Sequence, residues 1–100
     1  MTFKTTPFDV VDFLDTPEDI QNYLSEAFAS DDPKLIAIAL GDVSRARGMS
    51  KVAKETGLSR ESLYKSLSET GNPELATVLK VMQSMGLSLE PKPRGELGTP

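Results

Sequence analysis

The apolar positions of this chain recur at helical spacing over most of its length. Ile20, Tyr23, Leu24, Ala27 and Phe28 stand at i, i+3, i+4, i+7 and i+8, one face of a helix. Thr16 before them can cap, Pro17 suits the first helical position, and Glu18 and Asp19 favour the positive end of the helix dipole. The same start recurs at Asp32-Pro33, where Leu35, Ile36, Ala39, Leu40 and Val43 supply a second buried side. Gly48 stops that helix, after Arg45 and Arg47 in its last turn. Two short helices split by Gly57 come next. The fifth helix is predicted to begin with Asn72 as cap and Pro73 as first residue, to bury Leu75, Val78, Leu79 and Met82, and to end at Gly86. Leu87-Ser88-Leu89 alternates as a short strand would. Residues 1–15, with Phe3, Phe8, Val10, Val11, Phe13 and Leu14 among aspartates, show no helical period and read as an extended arm with apolar anchors. Residues 91–100, rich in proline and glycine, read as a frayed tail. The expected fold is all-α, five helices over residues 16–90.

At 100 residues the chain suits a single domain with one modest core. No apolar run approaches the ~18 residues of a membrane span. Met1-Thr2-Phe3-Lys4 opens no signal peptide, so a cytoplasmic protein is expected. Cysteine and histidine are both absent. That removes thiolate metal sites, disulfides, the commonest zinc ligand and the commonest general base. Neither catalysis nor a metal or other cofactor is expected. Asp31-Asp32, followed by Pro33, reads as a helix cap rather than a cation site.

Charge is divided along the chain. The net charge is −4, yet Ser44–Ser68 holds six bases (Arg45, Arg47, Lys51, Lys54, Arg60, Lys65) against two acids, a local +4. Met1–Val43 holds nine acids against two lysines, a local −7. A basic face can attract phosphate within an acidic protein, and it can equally be a solvated helix surface.

The residues of the basic stretch choose between these. From Met49 to Ser68 the sequence fits a helix-turn-helix. Ala53 is the small residue a close helix crossing needs. Gly57 tolerates positive φ in the turn, Leu58 plugs the corner, and Ser59 caps the second helix. Val52, Leu63 and Leu67 supply its core. The outer face then carries Arg60, Glu61, Tyr64, Lys65 and Ser68. Such a helix fits the major groove of double-stranded DNA, where Arg60 suits guanine, Glu61 a cytosine amino group, and Tyr64 and Lys65 base, methyl or phosphate. Lys51 and Lys54 are placed for phosphates, as are Ser50 at a helix start and the Ser59 hydroxyl.

Ser50 through Leu89 resembles the lambda-repressor/Cro-type (XRE) helix-turn-helix domains. Within that group the chain is similar to the HigA-like addiction-module antidote proteins. The likeness rests on Tyr23-Leu24-Ser25-Glu26-Ala27, Leu40-Gly41-Asp42-Val43, Ala46-Arg47-Gly48-Met49-Ser50, Thr56-Gly57-Leu58-Ser59-Arg60-Glu61-Ser62-Leu63-Tyr64 and Gly71-Asn72-Pro73. It implies a five-helix lambda-repressor-like fold and a type II antitoxin. Such a protein neutralises a small basic toxin of the RelE/ParE-like class and, as a homodimer, represses its own operon. A standalone or phage-type repressor would share the DNA-facing residues without a toxin. The acidic N-terminal extension either docks on a toxin through Phe8, Val11, Phe13 and Leu14, or closes this domain's own core with them.

Overall fold

The computed structural model describes residues 9–94. Five α-helices follow a short 3₁₀ turn, Val10–Phe13. They are α1 (Pro17–Ala29), α2 (Pro33–Arg47), α3 (Met49–Thr56), α4 (Arg60–Ser66) and α5 (Leu75–Ser84). Among the described residues there is no strand, and no helix is long and apolar enough to cross a membrane.

Local chemistry sets the starts of the first two helices. The Thr16 hydroxyl accepts from the Asp19 N–H at 3.0 Å, and the Asp19 carboxylate accepts from the Thr16 N–H at 3.1 Å, a reciprocal capping box. These bonds, with the Thr16 N–H foremost, hold the Asp19 carboxyl below its ordinary pKa. Asp32 accepts from the Lys34 N–H at 2.9 Å, with Pro33 in the first turn of α2. Gly48, at φ +102°, ends α2 and begins α3 with no side-chain cap between them. The two helices can therefore change direction across a single residue, a backbone conformation that glycine adopts most readily.

α2 is the hub. The 3₁₀ turn, α1, α3, α4 and α5 all pack on it. Its buried residues include Ala37, Ala39, Leu40, Gly41, Val43 and Ser44, more than one face of a helix. Small side chains at four of these positions let neighbours approach closely. Complete burial of Leu40 contributes about 2 kcal/mol of hydrophobic stabilisation. The Ser44 hydroxyl is buried with no hydrogen-bond partner among the described residues. Ile20 and Leu24 of α1, Met49 and Val52 of α3, Leu63 of α4, Leu67 just past it, and Val81 and Met82 of α5 complete the core.

Several expectations need correction. The segment from Val10 to Leu14 is not an extended arm: it winds into the 3₁₀ turn, and Leu14 enters the core. Asp9 initiates the turn by accepting from the Val11 N–H at 3.1 Å. Leu35 is exposed and the unforeseen Ala37 buried, because α2 is covered from several sides along its middle rather than at its first turn. α5 begins at Leu75, not Pro73. Glu74 is extended (ψ 154°), and the proline restrains Asn72 away from helical geometry. Leu75 is accordingly 64% exposed, and Val81 takes the deep position on that helix. Leu87-Ser88-Leu89 forms no strand, since no edge lies beside it. Leu87 instead folds back, its N–H bonded to the Met82 carbonyl at 2.9 Å, and packs on the core.

Candidate nucleic-acid interface

α3 and α4 are joined by the three residues Gly57-Leu58-Ser59. Gly57 caps α3 in the left-handed region (φ +78°), its N–H bonded to the Ala53 carbonyl at 2.9 Å. Leu58 turns inward and packs on the core, half-buried, as Ala53 does. The Ser59 hydroxyl accepts from the Ser62 N–H at 3.0 Å and starts α4. Each feature keeps the turn short, so α4 leaves α3 with its orientation fixed by the plug and the cap.

α4 is two-sided. Leu63 is fully buried, Leu67 at its C-terminal end is nearly so, and both face the core with Val52. Arg60, Glu61, Tyr64 and Lys65 are exposed. The Arg60 guanidinium lies over the Tyr64 ring, 5.9 Å from its centroid, so the two side chains project together one helical turn apart. Tyr64 is 46% exposed rather than packed away against the preceding helix. Ser50, Lys51 and Lys54 are exposed on α3, with Ser50 in its first turn, where no side chain caps the backbone N–H groups. Ser68 lies beyond the end of α4, not on its outer face, and its hydroxyl donates to the Lys65 carbonyl at 2.9 Å.

The free positive charge here is smaller than the sequence count. Arg45 bonds Asp42 at 2.8 Å and reaches Asp9 at 3.6 Å. Arg47 bonds Glu55 at 3.2 Å and ties the end of α2 to α3. Lys51, Lys54, Arg60 and Lys65 are the bases of the stretch that make no ion pair among the described residues. The Tyr23 hydroxyl donates to Asp42 at 2.6 Å, which joins α1 to this network. Burial, followed by the Asp42 carboxylate, pushes the Tyr23 phenol well above its ordinary pKa.

The candidate partner-binding residues separate. Phe8 lies outside the described residues. Leu14 is buried in this domain's own core, Val11 is half-buried, and Phe13 is 61% exposed. Phe13 borders an open cleft of about 250 Å³ between the 3₁₀ turn and α1, which Asp19, Asn22 and Glu26 also line. Sequence reading missed these three polar residues, although their spacing on α1, away from Ile20 and Leu24, marks them as one stripe.

A family model described as "Probable addiction module antidote protein" matches residues 4–93. The chain belongs to this family. It is 50% identical over 90 residues to an uncharacterized protein of Haemophilus influenzae, covering 90% of this chain and 93% of that protein. No solved structure matches. Membership in an antidote family implies a toxin partner, and the match extends through the 3₁₀ turn and all five helices rather than α3 and α4 alone.

Proposed function

We propose that this antidote-family protein neutralises a small basic toxin of the RelE/ParE-like class and represses its own operon by binding operator DNA. The observation that carries the DNA reading is the two-sidedness of α4. Leu63 is buried while Arg60, Glu61, Tyr64 and Lys65 stand in solvent, as do Lys51 and Lys54 of α3, which make no ion pair among the described residues. In this reading α3 and α4 are an XRE-type, HigA-like helix-turn-helix, and α4 enters the major groove. Arg60 donates to guanine O6 and N7, Glu61 accepts from cytosine N4, and Tyr64 and Lys65 meet base edges or phosphate. Lys51 and Lys54 neutralise phosphates, and the uncapped first turn of α3 at Ser50 offers its N–H groups to another. Ser59 holds its helix and stands beside the backbone; Ser68 reaches a phosphate only by giving up its bond to the Lys65 carbonyl. The protein acts as a homodimer reading half-sites about one helical turn, ~34 Å, apart. It works in the cytoplasm, where its operator is, and catalyses nothing.

The test is a gel shift on the promoter upstream of its own gene, with random DNA as competitor, at several salt concentrations. It is run with and without the product of the adjoining small open reading frame. Four bases of this face without an ion pair among the described residues give eight per dimer, and if each neutralises a phosphate, log K falls with log salt at a slope of about −7. A promoter shift with a stable partner supports both halves of the reading. A shift with no partner leaves a plain repressor, and no shift removes the DNA half.

A further inference from the structure

We propose that the cleft between the 3₁₀ turn and α1 is the surface on which the toxin docks, receiving an apolar side chain ringed by arginine or lysine. This rests on the antidote reading above and names the place and chemistry of the contact. Val10, Phe13, Leu14 and Tyr23 line the cleft, and Asp19, Asn22 and Glu26 form its polar side. Phe13 is 61% exposed, a large aromatic surface left in water and of the kind that anchors interfaces. Acids predominate around it, and Arg45, which shares Asp42 with Tyr23, is already bonded to Asp42 and Asp9. Asp12, Asp15, Glu18 and Glu26 make no ion pair among the described residues, and Met1–Val43 holds nine acids against two bases.

This chemistry selects the occupant. DNA is repelled by the carboxylates. A second copy placed with this cleft on the two-fold axis would set like charges face to face. A cationic protein surface is attracted to the rim and gains most where its apolar centre covers Phe13. The surface is built from the 3₁₀ turn and α1, whereas the proposed DNA face is built from α3 and α4. One protomer therefore holds toxin and operator together.

The experiment uses the full-length chain and the product of the adjoining small open reading frame, titrated at two salt concentrations. The variant is Phe13→Ala with Glu26→Lys. Both positions are exposed, and Asp19 is kept because it caps α1. Thermal melting and the promoter gel shift verify that the variant is folded. The expected result is wild-type pairing that weakens with salt, a variant that pairs at least about tenfold more weakly, and an unchanged promoter shift. Wild-type pairing with undiminished variant affinity overturns the docking surface and leaves the antidote reading standing. Failure of the wild-type chain to pair overturns both. Self-association of the wild-type chain that the variant abolishes assigns the cleft to a second copy and overturns the proposal.

Discussion

Gly41→Ala probes how α4 is seated. Gly41 lies in the middle of α2, where the chain just past α4 crosses it. A Cβ built there falls on the Leu67 carbonyl oxygen, well inside the 3.0 Å that real Cβ contacts respect, with the carbonyl carbon at 3.3 Å and the Leu67 Cβ at 3.4 Å. The obstacle is backbone, which cannot swing aside as a flexible side chain does. It must retreat by roughly half an ångström or more. Leu67 donates its own N–H to the Leu63 carbonyl at 2.9 Å and is buried, so retreat disturbs both the helix end and the core.

Two effects compete. An alanine inside a helix is favoured over glycine by about 1 kcal/mol. Overpacking a closed site costs about 1–3 kcal/mol, and a backbone obstacle puts this one at the upper end. The expected net loss is about 1–2 kcal/mol, which lowers Tm by about 5–15 °C for a domain of this size. Thermal melting by circular dichroism reads it directly. Promoter affinity at 25 °C should fall as well, because displacing Leu67 shifts the helix that carries Arg60 and Lys65. Gly57→Ala is the comparison. It meets open space within 4 Å but must hold φ +78°, which costs about 1 kcal/mol of backbone strain without moving α4 against α2. A Gly41→Ala protein that melts at or above the wild-type temperature would refute the reasoning.

Arg60→Ala should cost about 1–3 kcal/mol on the operator and relax specificity, whereas Lys51→Ala should weaken binding to all sequences alike; parallel gel shifts on operator and random DNA distinguish the two. Ser44→Ala removes a buried hydroxyl without a partner and improves helix propensity, so urea unfolding should show a stability gain of about 1 kcal/mol. Tyr23→Phe deletes the bond to Asp42 and should cost about 1–2 kcal/mol in the same assay. The pH dependence has a definite sign. The folded Tyr23 phenol ionises above its ordinary value of about 10, so its contribution is complete below pH ~10 and is lost as the pH rises beyond that. Wild-type stability should therefore fall more steeply above pH 10 than that of the Phe variant, and parallel slopes would remove Tyr23 as the cause.

The sequence alone determined the features whose causes lie within about four residues. Thr16, Asp32 and Ser59 start helices because their side chains reach backbone N–H groups two or three residues ahead. Gly48 and Gly57 mark changes of direction because their φ values suit no other residue as well. The α4 pattern, with Leu63 inward and Arg60, Glu61, Tyr64 and Lys65 outward, was legible for the same reason: a period of 3.6 places side chains on faces without reference to neighbours. What covers each face was not legible. Periodicity gave α2 one buried side, but five elements converge on it, so Ala37, Gly41 and Ser44 are enclosed while Leu35 remains in water. The basic stretch counted six charges, yet the packing of α2 against α3 spends Arg47 on Glu55, and the fold brings Arg45 to Asp42 and Asp9. Leu14 and Phe13 are adjacent and both apolar. Only the 3₁₀ turn, by its position on α2, sends one into the core and leaves the other at an acidic cleft. Such outcomes depend on the relative placement of whole helices, which is fixed by contacts far apart in the chain and carries no local signature.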